Sequence, residues 1–295
     1  MRRIITLCLA MSAVVAFASD ASSSASGVDY PPHTISNSQL RTLPASSSDR
    51  IYQLHIGLPP SYARQPNRRF TVVYVTDGYW DFQKLTAIRA VLINDKVVPE
   101  FIIVGLGYAG QGLDYHRLRL HDLFPVQVRE SAETGHAAKF LQVIEEQVIP
   151  LVEREYRVDP SYRVLAGASA GGLFTLYAMY TKPALFNAWV AATPAIFFAK
   201  DDWLFNYEQE FAQAGGQLKG RLYMTVGGNE GGDYVASVLR YNARVVSRQY
   251  PELAYDFRII DGERHSGGQM EAYVRGLRFV FQPLAPESGP SLRNP

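Results

Sequence analysis

The pentapeptide Gly-Ala-Ser-Ala-Gly at residues 167–171 sets one serine, Ser169, between two glycines. A strand-like segment, 162–165, precedes it and a helix-like segment, 173–177, follows it. A serine in a tight turn between strand and helix lifts its hydroxyl above the sheet, and glycines two residues away let the two elements approach closely. Chance alone can supply the pentapeptide, but the strand–turn–helix context is typical of a nucleophilic serine.

A nucleophilic serine needs a histidine that takes its proton and an acid that orients the histidine. Where the serine lies between strand and helix, the chain order is serine, acid, histidine. Of the six histidines only His265 follows Ser169, in a loop after the last strand-like run. The acid is expected after the strand-like run before that one. Glu230 is favoured there because it lies nearer the strand end, and Asp233 stays open as the alternative.

The negative oxygen that forms when a serine attacks a carbonyl needs hydrogen-bond donors. The helix after the serine directs its first N–H groups at that position, so the Ala170 N–H is one expected donor. The second is expected in the turn after an earlier strand, at the N–H of Gly78 or Tyr79. Trp80 follows them and is interpreted as part of an aromatic wall for an acyl group, although aromatic residues here suit the core equally well.

Strand-like and helix-like runs alternate along most of the chain. Several of the strand-like runs are apolar on both faces, as buried parallel strands are. The strand-like runs are 51–58, 70–75, 101–107, 162–167, 188–192, 221–226 and 255–260, and the helix-like runs are 136–156, 173–180, 234–247 and 268–281. This alternation predicts an α/β-hydrolase fold over residues 50–282, with a central, mostly parallel sheet and helices on both faces.

The connection from Tyr108 to Thr134 contains Gly110, Gly112 and Pro125 and no sustained period. It is far longer than the typical connection of about 4–6 residues. Two interpretations stay open, a substrate-binding lid and a surface excursion that packs against the domain.

The two ends of the chain differ from the middle. Residues 1–18 have the charged start, the apolar run and the Ala-Phe-Ala end of a cleaved signal peptide, and the run is shorter than the roughly 20 residues that span a bilayer. This favours a periplasmic or secreted protein without a membrane anchor. Residues 19–49, rich in Ser, Ala and Pro, are predicted to be a flexible linker and residues 283–295 a disordered tail.

The charge balance and the single cysteine exclude several classes of protein. A formal net charge of +1 does not suggest nucleic acid or an anionic membrane as a partner. Cys8 lies in the signal, so no disulfide or thiolate site is expected. Asp114, His116, His121 and Asp122 lie in the irregular connection without the spacing of a metal site, so no metal is expected.

Four segments together resemble the Putative esterase family of α/β hydrolases. They are 71–78, 167–172, 192–195 and 261–265, and the likeness spans roughly residues 50–282. The family includes feruloyl esterases, S-formylglutathione hydrolases and periplasmic esterases that open catecholate siderophores. The resemblance implies a hydrolase with neither metal nor cofactor, and it carries Ser169 and His265 over as nucleophile and base. This sequence departs from related feruloyl esterases at Glu230, where they have Asp, and it departs from the family pattern at residues 121–125.

These observations predict an exported serine carboxylic ester hydrolase that works through an acyl-enzyme on Ser169. Its partner is a small-molecule ester, either a catecholate siderophore lactone or an extracellular acyl or feruloyl ester. Arg117 and Arg119 in the long connection are interpreted as contacts for an anionic ferric siderophore or as surface charges. An acyltransferase with the same triad and a non-catalytic ligand-binding protein stay open as alternatives.

Overall fold

Apolar runs of the sequence form the strands of one sheet. The computed structural model describes residues 34–44, 50–128, 133–199 and 202–286, and the compact unit that contains the sheet begins at Ile35. Within these residues eight strands are hydrogen-bonded in the order β1-β2-β4-β3-β5-β6-β7-β8. They are β1 (Ser38–Thr42), β2 (Tyr52–Gly57), β3 (Phe70–Val75), β4 (Phe101–Tyr108), β5 (Val158–Ala168), β6 (Ala188–Ala192), β7 (Lys219–Gly227) and β8 (Glu252–Ile260).

The sheet is antiparallel at one edge and parallel elsewhere. β1 pairs antiparallel with β2 and β2 with β4, whereas every pair from β4 through β3, β5, β6 and β7 to β8 is parallel. Parallel strands are buried on both faces, and β3, β4 and β6 are indeed buried at every position. The carboxyl ends of these parallel strands lie at one edge of the sheet, where the turns that follow them meet.

Helices cover both faces of the sheet. α1 and α8 pack on one face, where Phe82, Leu85, Tyr273 and Leu277 are buried, and the other described helices pack on the opposite face. The helices are α1 (Gly78–Asn94), α2 (Tyr115–Leu123), α3 (Ala137–Val143), α4 (Ile149–Glu155), α5 (Ala170–Thr181), α6 (Trp203–Gln213), α7 (Gly232–Arg248) and α8 (His265–Val280). A π-helical turn, Ile144–Val148, joins α3 to α4, and short 3₁₀ turns lie at Ile196–Phe198 and Gln282–Leu284. The predicted α/β-hydrolase fold is confirmed.

The linker prediction was wrong for part of its span. Residues 38–42, inside the predicted linker 19–49, form β1, which pairs with β2 from Ser38 opposite Gly57 to Thr42 opposite Gln53. The side chains of this edge strand are mostly exposed, so no apolar pattern distinguishes it from a linker. Several predicted segments lie outside the described residues. They are the signal peptide, residues 19–33 and 45–49 of the linker, and the tail from residue 287.

The long connection is less irregular than its sequence suggested. Tyr115–Leu123 form α2, which begins after Asp114, whose carboxylate accepts a hydrogen bond of 3.0 Å from the Arg117 N–H. Only Asp122 and Leu123 of this helix are buried, and a helix that buries so little has no hydrophobic period to reveal it. The described part of this connection packs against the domain through Asp122, which supports the surface-excursion interpretation.

Candidate active site

Ser169 lies in the turn between β5 and α5 with a strained backbone. Its φ of 58° and ψ of −117° are unusual for a residue with a side chain. The turn is held in place because the Ser169 N–H donates to the Ala192 carbonyl (3.0 Å) and the Ser169 carbonyl accepts from the Ala195 N–H (2.9 Å). Glycine is required at 167, where a Cβ would lie 2.6 Å from the Thr76 hydroxyl. The predicted strand–turn–helix geometry is therefore present.

His265 and Glu230 are hydrogen-bonded to each other. His265 is the first residue of α8, not a loop residue as expected, and its Nδ1 lies 2.6 Å from Glu230 Oε2. The Glu230 side chain is 4% exposed, and its other oxygen accepts from the Gly227 N–H (2.8 Å) and from the Thr193 hydroxyl. Burial alone would raise the pKa of Glu230, but the hydrogen bonds from His265, Thr193 and Gly227 hold that pKa below its ordinary value.

Asp233, the alternative acid, lies near His265 and lines the same cleft as the histidine, but it does not bond to the histidine ring. It is exposed in the first turn of α7, and among the described residues no hydrogen bond joins it to His265. The preference for Glu230, based on its nearness to the strand end, agrees with this arrangement.

Two residues that the sequence did not single out surround the serine and the histidine. Thr193 has a φ of 41°, and its hydroxyl lies between Glu230 and His265 Nδ1, 3.5 Å from the latter. The buried Tyr234 hydroxyl donates to the Thr193 carbonyl (2.6 Å), and its ring meets the His265 ring edge-on at 5.4 Å. Burial raises the pKa of Tyr234, and the nearby Ser169 side chain is among the groups that oppose this rise.

The serine and the histidine thus share neighbours. Among the described residues no hydrogen bond joins the Ser169 hydroxyl to the His265 ring, and such bonds are often long until substrate is bound. Thr193 lies in the segment 192–195, one of the four that resemble the family, and this resemblance was the one feature of the sequence that could have indicated it. No feature of the sequence indicated Tyr234, because it lies on α7 and only the folded structure brings it to the site.

The expected oxyanion donors lie at the starts of two helices, α1 and α5, that follow neighbouring strands. Ala170 is the first residue of α5, and Gly78 and Tyr79 are the first two of α1. The preceding strands β3 and β5 are paired, and the Thr76 N–H donates to the Ala166 carbonyl (3.0 Å). The first N–H groups of a helix lack partners within it, and no acceptor among the described residues is bonded to these three.

Arg119 and Arg117 do not present free charges. Arg119 donates two hydrogen bonds, of 2.6 and 2.7 Å, to the Asp77 carboxylate, and both side chains are largely buried. Burial opposes the charge of Arg119, but Asp77 outweighs it and holds the pKa of the guanidinium above its ordinary value. Arg117 is exposed and pairs with Glu133 at 2.7 Å. The sequence left Arg119 open as a contact for an anionic ligand or as a surface charge, and because its guanidinium is buried against Asp77 it is not a surface charge.

An apolar cleft of about 630 Å³ opens beside His265. Phe197 and Phe198, each 49% exposed, form one wall, and Tyr234 and Arg264 contribute to the others. Trp80 is not part of this cleft. It is 41% exposed and lies near Arg119, whose guanidinium is 5.7 Å from the centre of its ring.

Of the four residues considered for a metal site, His121 and Asp122 are hydrogen-bonded to each other. His121 Nδ1 lies 2.7 Å from Asp122, and Asp122 also accepts from the hydroxyls of Tyr52 (3.1 Å) and Tyr108 (3.0 Å). Within the described residues no group of three or more His, Cys, Asp or Glu side chains is placed to hold a metal ion. In the same part of the chain, no helix is long and apolar enough to cross a membrane.

Comparisons with known proteins bear on this geometry. The model of the family described as "Putative esterase" matches residues 45–249. Ferri-bacillibactin esterase BesA of Bacillus subtilis is 26% identical over 273 residues, which are 86% of this chain and 92% of the relative. Siderophore enterobactin esterase of Emericella nidulans is 29% identical over 174 residues, 52% of this chain and 56% of the relative. A crystal structure of the BES protein from Bacillus cereus matches with a TM-score of 0.77 and 26% identity, over 86% of this chain and 98% of that one.

Proposed function

The chain belongs to the Putative esterase family and is a carboxylic ester hydrolase, and from this premise we propose that it hydrolyses its ester through an acyl-enzyme on Ser169. His265 is the general base in this proposal and Glu230 orients it. The observation that carries the proposal is the 2.6 Å hydrogen bond between Glu230 and His265 Nδ1, beside a serine with the backbone of a nucleophile turn. A non-catalytic binding protein is set aside because the family is one of esterases.

The proposed reaction has two halves. His265 takes the Ser169 proton through Nε2 while the serine oxygen forms a bond to the ester carbonyl carbon, and the N–H groups of Ala170 and of Gly78 or Tyr79 stabilise the negative oxygen. His265 then gives the proton to the leaving alkoxide, which departs as an alcohol. Water repeats these steps on the acyl-enzyme and releases the acid. Glu230 stabilises the imidazolium that forms in each half because its carboxylate accepts from Nδ1.

The proposed substrate is an ester of an iron-chelating siderophore. Two similar proteins are named as esterases of ferri-bacillibactin and enterobactin. The cleft supports the proposal because the exposed rings of Phe197 and Phe198 suit a flat apolar group and Arg264 adds a cation. Export to the periplasm or beyond, from the signal-like residues 1–18, is part of the same proposal, and sequencing the N-terminus of the mature protein tests it.

The experiment compares wild type, Ser169→Ala and Ser247→Ala. Ser247 is an exposed serine on α7 and serves as the matched control. We expect Ser169→Ala to lose labelling by a fluorophosphonate and at least about a thousand-fold of the hydrolysis of p-nitrophenyl acetate, while Ser247→Ala matches wild type. Assays of enterobactin, a feruloyl ester and a short-chain ester then rank the substrates. Full activity in Ser169→Ala would refute the nucleophile, and a preference for the short-chain ester would refute the siderophore proposal.

A further inference from the structure

Asp77 immediately precedes the two expected oxyanion donors of α1. Its backbone is left-handed, with φ 56° and ψ 42°, in the turn between β3 and Gly78. Aspartate tolerates this conformation better than most residues but has no intrinsic preference for it. A second interaction must therefore fix the turn, and with it the direction of the Gly78 and Tyr79 N–H groups.

Arg119 supplies that interaction. Its Nε and one terminal nitrogen donate to the two oxygens of Asp77, at 2.6 and 2.7 Å, in the two-pronged geometry that fixes a carboxylate in orientation as well as distance. The same terminal nitrogen lies 3.5 Å from the carbonyl of Ala168, the residue before Ser169. One guanidinium therefore touches both turns from which the oxyanion donors come.

The helix that carries Arg119 is itself anchored. Three residues after Arg119, the buried Asp122 accepts hydrogen bonds from Tyr52 on β2 and from Tyr108 on β4. The Arg119 side chain is only 12% exposed, and Trp80 lies beside its guanidinium. Arg119 thus reaches the two turns from a helix fixed to the sheet, and neither solvent nor substrate is needed to hold it in place.

The positive charge of Arg119 also matters for the electrostatics of the oxyanion site. Without a cation, the Asp77 carboxylate would lie one residue from N–H groups that must stabilise a developing negative oxygen. Two like charges at such short range in a partly buried site repel each other strongly. The positive charge of Arg119 offsets this repulsion.

We infer that Arg119 is a positioning residue for the oxyanion hole, acting through Asp77, and that it is not a substrate contact. The inference rests on the proposed function, because it presumes that Gly78 or Tyr79 and Ala170 donate to an oxyanion formed on Ser169. α2 is then a fixed part of the catalytic architecture.

The test uses Arg119→Met, which removes the charge, and Arg119→Lys, which keeps the charge without the two-pronged geometry. With p-nitrophenyl acetate we expect kcat of Arg119→Met to fall about 100-fold and KM to change less than about three-fold, because a misplaced oxyanion donor affects the transition state alone. The inhibition constant of an arylboronic acid, which forms a tetrahedral adduct with the serine, should rise by the same factor as kcat falls. Arg119→Lys should lie between, and millimolar guanidinium should restore part of the activity of Arg119→Met.

Arg248→Met is the matched control. Arg248 also makes two hydrogen bonds to a buried carboxylate, Glu208, at 2.6 and 2.9 Å, but at the far end of α7. Its loss should lower stability and leave kcat per labelled active site at the wild-type value.

Two results would overturn the inference. A raised KM with unchanged kcat in Arg119→Met would make Arg119 a substrate contact. A wild-type kcat per site, counted by end-point fluorophosphonate labelling, would make its role purely structural. Arg119→Lys decides the same question if Arg119→Met does not fold. Failure of the proposed function itself is separate, since it would appear as activity in Ser169→Ala.

Discussion

Glu230 combines two opposite influences on one carboxyl group. Removal from water favours its neutral form, whereas three hydrogen-bond donors favour its charged form. The donors prevail, so the folded protein holds the pKa of Glu230 below its ordinary value. A carboxyl group with a depressed pKa in the folded state stabilises the fold at pH values above its unfolded pKa, and this contribution is lost as pH falls through the folded pKa.

This sign leads to an expected pH dependence of stability. At neutral pH Glu230→Gln should lower the free energy of unfolding by about 1–3 kcal/mol, because charged hydrogen bonds to His265 and Thr193 become neutral ones. As pH falls below about 4, wild type loses the same contribution and the difference between the two proteins should shrink. Urea denaturation across this range measures it. A difference that grows toward acid pH would contradict the assignment, and Asp261→Asn, in an exposed turn, is the control.

For single residues, the sequence was informative where the order of residues along the chain identified the candidate. Ser169, Glu230 and His265 could be chosen because each follows a strand in the expected order. Thr193 and Tyr234 could not, because their roles depend on a left-handed backbone and on an approach from α7. The pairing of Arg119 with Asp77 could not be predicted, since nothing in the local sequence of Arg119 indicates a residue so distant in the chain as its partner.

Among the elements, α2 shows how a helix can form without a hydrophobic stripe. It has an exposed cap at one end, through Asp114, and a buried carboxylate at the other, through Asp122, and its leucines pack only partly buried against the core, except for Leu123. The leucines of this segment alternate with charged residues and form no sustained helical period, so the sequence did not reveal the helix. β1 was missed for a related reason, because edge strands expose most of their side chains.

The contacts at the two ends of α2 should contribute differently to the free energy of unfolding. Asp122→Ala leaves the buried hydroxyls of Tyr52 and Tyr108 without their acceptor, and this should cost about 1–3 kcal/mol of unfolding free energy for each hydroxyl. Asp114→Ala removes an exposed cap and should cost about 1 kcal/mol. Chemical denaturation of both variants gives the comparison, and limited proteolysis should cleave Asp122→Ala faster near α2. Equal losses in the two variants would show that Asp122 does not anchor the helix.

For the molecule as a whole, the parallel strands decide where chemistry can occur. Ser169, Thr193 and Glu230 follow β5, β6 and β7, and His265 follows β8, so the carboxyl edge of the sheet gathers residues far apart in sequence. Alternating strand and helix patterns were sufficient to predict this edge. They were insufficient for the cleft, because Phe197 and Phe198 lie in a short 3₁₀ turn without any period of its own.

The cleft's charge gives an expectation about substrate choice. Arg119 is neutralised by Asp77, whereas Arg264 is exposed, lines the cleft beside His265 and has no ion-pair partner among the described residues. An anionic substrate group should therefore be attracted by Arg264, although the exposed carboxylate of Asp233, which lines the same cleft, opposes that attraction. We expect Arg264→Gln to lower kcat/KM about five-fold for p-nitrophenyl hemisuccinate at low salt and to leave p-nitrophenyl butyrate unchanged, a factor that corresponds to about 1 kcal/mol of screened Coulomb energy. The selectivity of wild type for the anionic ester should fade as salt is added, because the charge of Arg264 is exposed.

The control is Arg278→Gln, at the opposite end of α8, which should keep wild-type selectivity. Equal losses on the two esters would mean that Arg264 acts on the position of His265 and not on the charge of the substrate.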